Sequence, residues 1–107
     1  MTQSIYIIEL HYTAPIAELD VWLIAHRAYL DNSYKAGIFI ASGPQHPRTG
    51  GVILARGVDN DGDVVTRERL ANIMDADPFM VNKVATYKII EFNPVKYSEE
   101  FGKIMGV

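Results

Sequence analysis

Hydrophobic positions along the chain change period several times, and each change predicts a change of secondary structure. Four short runs are apolar at nearly every position and rich in β-branched and aromatic residues. Such runs are typical of strands, and we place them at residues 4–10, 37–44, 51–58 and 86–95. Because these runs barely alternate, we expect both faces of the strands to be buried.

From Pro15 the period becomes helical. One side of the predicted first helix carries Leu19, Leu23, His26 and Leu30, with Trp22 beside them. Gly37 follows this region, and glycine commonly ends a helix.

A second helix is predicted to begin at Thr66, whose hydroxyl can cap it. Pro78 disfavours helical geometry at the residue before it, so this helix ends near Asp77. Pro78 also suits the first turn of a new short helix with Asp77 as its N-cap. One face of the second helix carries Leu70, Ile73, Met74 and Asp77. The tail, residues 96–107, predicts a loose short helix.

Two polar segments separate these elements. Residues 42–51 contain two prolines and three glycines, which predicts a long loop rather than regular structure. Residues 59–63 read Asp-Asn-Asp-Gly-Asp and predict a solvated turn.

The resulting order is β-α-β-β-α-β, which predicts a ferredoxin-like α+β fold with an antiparallel sheet. We expect one domain spanning 1–107, with its core at 4–95 and a tail at 96–107. Two helices cover only one face of a four-stranded sheet, so we expect the other face to pack against an identical subunit in a symmetric dimer.

Composition narrows the class of partner. The 107 residues carry a net charge of −3, and the lysines and arginines are scattered, which argues against nucleic acid. The chain has no cysteine, which excludes disulfides and thiolate chemistry. Its N-terminal apolar run is too short for a signal peptide or a membrane span. We therefore expect a cytoplasmic protein with no membrane partner.

His26 and Asp77 are the residues most relevant to chemistry. A lone histidine on an apolar stripe is more often a buried core residue that donates a hydrogen bond to a backbone carbonyl. Asp-Pro is an ordinary helix start, so Asp77 needs no catalytic role to explain it. The functional alternative requires a carboxylate that orients the imidazole. If the two helices pack side by side, Asp77 can supply it.

Other candidates are weaker. Arg48, within the glycine- and proline-rich loop, can clamp an anion or be merely solvated. An EF-hand frame started at Asp59 fails, because its sixth position is Val64 and its twelfth is Leu70. His11 and His46 have no spacing that forms a metal triad with His26, so we expect no metal. Tyr29 and Tyr34 are packing residues or present a hydroxyl to a cleft.

Five segments taken in order resemble the YCII-related family of small proteins: 25–30 (AHRAYL), 36–44 (AGIFIASGP), 47–56 (PRTGGVILAR), 75–79 (DADPF) and 87–94 (YKIIEFNP). The resemblance implies a dimeric α+β barrel and a cleft in which His26 and Asp77 form a dyad. It also implies that Ser42, Gly43 and Pro44 line the cleft and that Arg48 anchors substrate. The polar segment 60–68 looks longer than is usual in the family.

Together these observations predict a small, cofactor-independent enzyme. His26 would move a proton on a small aromatic or anionic substrate, in lyase or isomerase chemistry. Arg48 or backbone N–H groups near Gly43 would hold an oxyanion. Two alternatives stay open: a non-catalytic dimer that binds a small ligand in the same cleft, and a purely structural dimer with a core histidine.

Overall fold

The computed structural model describes residues 4–106, so the first three residues and the last lie outside the described part of the single predicted domain. These residues form four strands and four helices. In chain order they are β1 (Ile5–Tyr12), α1 (Ile16–Lys35), β2 (Phe39–Pro44), β3 (Gly50–Arg56), α2 (Arg67–Asp75), α3 (Pro78–Val81), β4 (Ala85–Phe92) and α4 (Glu99–Met105).

The strands form one antiparallel sheet in the order β2-β3-β1-β4. This order brings the first and third strands together at the centre and leaves β2 and β4 at the edges. The α+β class and the antiparallel sheet are confirmed, and the topology is compatible with the ferredoxin-like arrangement.

The main core lies between the sheet and the helices. Alternate β1 residues point toward the helices, because successive side chains of a strand face opposite sides. Tyr6, Ile8 and Leu10 of β1 are buried there with Leu30 of α1 and Leu70 of α2. A second, smaller cluster joins Leu19 to Phe79, Val84 and Ala85 beneath α3.

Helix α1 is bounded much as the sequence predicts. Leu19, His26 and Leu30 of the predicted stripe are buried, while Leu23 is half-buried. The helix ends at Lys35, and Gly37 follows with φ +75°. A positive φ suits glycine, which pays no Cβ penalty in this conformation.

The opposite face of the sheet carries a partly exposed apolar row. Leu54, Ile7 and Ile90 are register partners across β3, β1 and β4, and all three are half-buried. The predicted tail helix is formed as α4, and the glycine that ends it lies near the side chain of Arg56 at the end of β3: a Cβ on Gly106 would lie 3.3 Å from Arg56 Nη2.

The predicted loop at residues 42–51 is too long. Strand β2 continues through Pro44 and β3 begins at Gly50, so only residues 45–49 connect them. Proline is tolerated here because β2 is an edge strand. The expectation that β2 is buried on both faces is wrong for the chain by itself, since its last four residues are exposed.

The turn at residues 59–63 also differs from the prediction of a solvated turn. Asp59 is only 6% exposed, and its Oδ1 accepts hydrogen bonds from the backbone N–H groups of Asp61 and Asp63. Its Oδ2 pairs with Arg69 Nη1 at 2.9 Å. The sequence interpretation missed this anchoring role of Asp59.

No helix within residues 4–106 combines the length and the apolar character needed to cross a membrane.

Candidate functional site

A cleft of about 310 Å³ lies between α1 and the sheet, closed at one side by α3. Its floor comes from β1, β2 and β3, and the segment joining β2 to β3 contributes one side chain. The lining residues are Leu10, Tyr12, Leu23, His26, Arg27, Leu30, Ser42, Gly43, Pro44, Arg48, Gly51, Val52, Ile53 and Phe79.

His26 and Asp77 are hydrogen-bonded beside this cleft. His26 Nδ1 lies 2.8 Å from Asp77 Oδ2 and 2.9 Å from Oδ1. Asp77 is fully buried, and His26 is 7% exposed. A carboxylate accepts hydrogen bonds, so this geometry places a proton on Nδ1.

The local sequence explains why Asp77 faces α1. Pro78 begins α3, and Asp77 is its N-cap, with Oδ1 accepting a hydrogen bond of 2.8 Å from the backbone N–H of Phe79. The N-cap role was predicted, and so was the end of the preceding helix before Pro78. One carboxylate therefore starts the short helix and orients the imidazole at the same time.

Phe79 fixes the plane of the imidazole. The two rings are stacked, with centroids 3.9 Å apart and planes 5° from parallel. Phe79 is 1% exposed, so the stack lies within packed structure. The histidine ring is held by a hydrogen bond at its edge and by an aromatic ring against its face.

The other ring nitrogen of His26 is available to the cleft. Nε2 makes no hydrogen bond within residues 4–106, and it is not among the fully buried polar atoms left unpaired there. Because His26 lines the cleft, Nε2 can reach a molecule bound in it. With Nδ1 protonated, a neutral ring has its lone pair on Nε2.

Ser42, Gly43 and Pro44 line the cleft from strand β2 rather than from a loop. The hydroxyl groups of Ser42 and Tyr34 are hydrogen-bonded at 2.6 Å. Gly51 of the neighbouring strand permits a close approach, since a Cβ there would lie 3.0 Å from the carbonyl oxygen of Gly43. A side chain at Gly51 would crowd this part of the wall.

Arg48 also lines the cleft, but its charge is already paired. Its Nη2 donates to Asp20 Oδ1 at 2.7 Å. Donating this hydrogen bond to Asp20 raises the pKa of the Arg48 guanidinium. Asp20 of α1 was not singled out from the sequence, because nothing in the chain links residues 28 positions apart.

Sequence reasoning also missed Tyr12 and Arg27, which both line the cleft. Tyr12 closes β1 and packs edge-on against Phe79. Arg27 directly follows His26 on α1, and that adjacency was the available signal. The polar residues of the cleft thus come from α1, β1, β2 and the segment after β2.

The remaining candidates lie elsewhere. Tyr29 donates to the carbonyl of Ile73 at 2.6 Å, which is a packing role, and Tyr34 reaches only the edge of the cleft through Ser42. His11 and His46 are exposed and do not line the cleft. Carboxylate oxygens of Asp59, Asp61 and Asp63 lie within 4.8 Å of one another, but those of Asp59 are already bonded to Arg69 and to backbone N–H groups.

Comparison with known families agrees with the resemblance read from the motifs. Residues 1–93 match the model of the YCII-related domain family. The chain therefore belongs to this family, and the matched region contains all the residues of the cleft. No curated protein sequence matches the chain.

Proposed function

We propose that this protein is a small, cofactor-independent enzyme that uses His26 as a general acid and base. Asp77 orients the imidazole and stabilises its charged form. The observation that carries the proposal is the bond from His26 Nδ1 to the buried Asp77, which leaves Nε2 at the cleft. An aspartate held this way supports proton transfer by the far nitrogen.

In the proposed reaction, one proton moves from the substrate to His26 and back to the substrate. Nε2 takes a proton from a substrate carbon or hydroxyl, and the carboxylate of Asp77 stabilises the imidazolium that forms. The same proton then returns to another atom of the substrate in an isomerisation, or to the leaving group in an elimination. Neither path needs a nucleophile from the protein. Backbone N–H groups near Gly43 would hold a developing oxyanion, or Arg48 would do so by exchanging its carboxylate partner Asp20 for the substrate.

The cleft favours a small substrate. Its volume of about 310 Å³ lies at the lower end of ligand pockets. Leucine side chains, Ile53 and the ring of Phe79 supply apolar contacts, while Ser42 and the two arginines supply polar ones. A ring compound with one polar or anionic group suits this lining.

Turnover by matched histidine variants tests the proposal. Hydroxylated and halogenated aromatic acids and lactones would be screened with the wild type, with His26→Gln and with His46→Gln, whose histidine is exposed. General acid–base catalysis contributes about 10²- to 10⁴-fold, so His26→Gln should lose a rate factor of that size. His46→Gln should retain full activity, and turnover that survives His26→Gln would refute the role.

The second candidate is a binding protein that uses the same cleft without chemistry. The features that favour it are the cleft itself and its paired polar groups, which suit recognition as well as catalysis. A ligand that binds in the cleft and is recovered unchanged, with no turnover in the screen, would favour this candidate over the enzyme.

We also propose that the protein acts as a cytoplasmic homodimer through the sheet face opposite the helices. The partly exposed row of Leu54, Ile7 and Ile90 supports this, as does Phe92 beside it at 44% exposure. Sedimentation at micromolar concentration should give twice the mass of the chain. Leu54→Glu should yield monomers, whereas Val64→Glu, at a position 71% exposed, should not; a monomeric wild type would contradict the proposal.

A further inference from the structure

The two permanently charged side chains that line the cleft are both arginines, Arg27 and Arg48, in a protein whose net charge is −3. His26 lines the cleft with them, and none of the described lining residues carries a carboxylate. Asp77 is buried behind the imidazole and does not line the cleft. A concave surface lined by one sign of charge attracts ligands of the opposite sign.

The two arginines of the wall are not equivalent. Arg48 is bound to Asp20 at 2.7 Å, so a ligand carboxylate would have to compete with a carboxylate already in place. Arg27 makes no hydrogen bond or ion pair through its guanidinium within residues 4–106. Its charge is therefore the uncompensated one at the cleft.

Arg27 also shares the cleft with His26. It follows His26 on α1, and both side chains line the same cleft. A carboxylate bound by the guanidinium would share the cleft with Nε2 of His26, and the rest of the molecule could contact Leu23, Leu30 and Phe79, which line the same cleft. Guanidinium suits this task because its planar donors match a carboxylate.

We propose that Arg27 is the anion-binding residue of the cleft, and that Asp20, by pairing Arg48, limits the preferred ligand to a single negative charge. The ligand class is an aromatic or similarly apolar monocarboxylate. This proposal rests on the proposed function only for the place of the ligand in the same cleft as His26, since the binding itself needs no chemistry.

Chemical-shift titrations with three defined probes test the assignment: benzoate, neutral benzamide and the dianion isophthalate. The wild type should bind benzoate at least about tenfold more tightly than benzamide, because a charged hydrogen bond contributes about that factor. Arg27→Gln should remove the difference, and Arg27→Lys should restore part of it. Lys35→Gln, an exposed cation of the same helix away from the cleft, should change nothing.

Variants of Asp20 and Arg48 test the proposed role of Asp20 in limiting the charge of the ligand. Arg48→Gln should keep most of the affinity for benzoate, because that guanidinium is already paired. Asp20→Asn frees Arg48, so the affinity for isophthalate should rise relative to that for benzoate, again by about tenfold. An unchanged ratio in Asp20→Asn would overturn the role of Asp20.

Other outcomes overturn the assignment of Arg27. Equal affinity of the wild type for benzoate and benzamide, or no binding of benzoate at millimolar concentration, would exclude a monoanion as the ligand. A loss in Arg48→Gln as large as in Arg27→Gln would assign the anion to Arg48. These results are separate from the catalytic test: turnover lost in His26→Gln supports the proposed function whatever Arg27 does.

Discussion

Two buried aspartates, Asp77 and Asp59, make similar hydrogen bonds to the backbone but have different side-chain partners. Each accepts hydrogen bonds from backbone N–H groups close by in the chain. The other carboxylate oxygen of Asp59 accepts a hydrogen bond from Arg69 of α2, a permanent cation that ties the polar turn to this helix. Asp77 instead accepts a hydrogen bond from Nδ1 of His26, whose second nitrogen remains available to the cleft.

The difference lies in the partner rather than in the carboxylate. An arginine keeps its proton, so the pair of Asp59 and Arg69 is fixed in one charge state and anchors a loop. A histidine can carry a proton on either ring nitrogen or on both, and we propose that its pair with Asp77 takes part in proton transfer for this reason. Burial and hydrogen bonding are therefore common to Asp59, which anchors a loop, and to Asp77, for which we propose a role in proton transfer.

The largest effect should come from Asp77→Ala. This change removes the N-cap of α3 and leaves the ring N–H of His26 without a partner in buried surroundings. We expect the free energy of unfolding to fall by about 3 kcal/mol or more. Thr66→Ala, which removes only an N-cap from α2, should cost about 1 kcal/mol. Urea unfolding measures both, and equal losses would mean that the contact with His26 adds nothing.

Asp59→Asn should have a smaller effect that depends on pH. Hydrogen bonds from the Asp63 N–H and from Arg69 lower the pKa of Asp59 in the folded protein. The unfolded chain then binds more protons in the acid range, so the contribution of Asp59 is present above about pH 4 and is lost as pH falls through the folded pKa. The variant should be less stable than the wild type at neutral pH and should converge with it in acid.

The control for this prediction is Asp61→Asn, at an exposed acid of the same turn. This variant also removes one negative charge, but it leaves the hydrogen bond between Asp59 and Arg69 intact. The pH dependence of its unfolding should therefore follow that of the wild type. If the stability of the two variants depends on pH in the same way, the net charge of the protein, rather than the pair of Asp59 and Arg69, controls the loss of stability in acid.

The smallest effect concerns Asp75, an exposed aspartate whose Oδ1 accepts from the Tyr87 hydroxyl at 2.7 Å. Burial, followed by this hydrogen bond, raises the pKa of Tyr87 to about 12. The folded protein keeps a phenol proton that the unfolded chain releases near pH 10, so stability should decline between about pH 10 and 12. In Asp75→Asn, tyrosinate absorbance should show Tyr87 ionising at lower pH, and an unchanged titration would assign the shift to burial alone.

Much of the topology was predictable, because it follows from local chemistry. The change from strand to helical period after Pro15, the glycine after α1 and the Asp-Pro step before α3 each fix an element boundary through backbone geometry. The end of β2 at Pro44 was also predicted, but the loop predicted at residues 42–51 overlapped this strand and was too long. The glycine and proline of β2 disfavour a central strand, and only the sheet order shows that β2 lies at an edge.

Some residues of the candidate site were likewise predictable from the sequence, and others were not. His26 stood out because it interrupts an apolar stripe. Asp77 was a candidate partner from the expected packing of the two helices, and the family resemblance strengthened that hypothesis. The only signal for Arg27 was its place after His26, and Asp20 had none, since an exposed charge on a helix is ordinary until the position of the cleft is known. The anchoring by Asp59 was missed because a polar turn predicts solvation, while its link to Arg69 depends on how α2 packs.

In the proposed mechanism, Asp77 holds the proton of His26 on Nδ1 and leaves Nε2 to exchange protons at the cleft. Nitrogen-15 NMR of histidine-labelled protein tests it most directly, with His26 assigned by comparison with His26→Gln. We predict that the neutral ring is protonated on Nδ1 and carries its lone pair on Nε2, and that Nε2 is the nitrogen that gains a proton on acidification. A neutral His26 ring protonated on Nε2 would contradict the account.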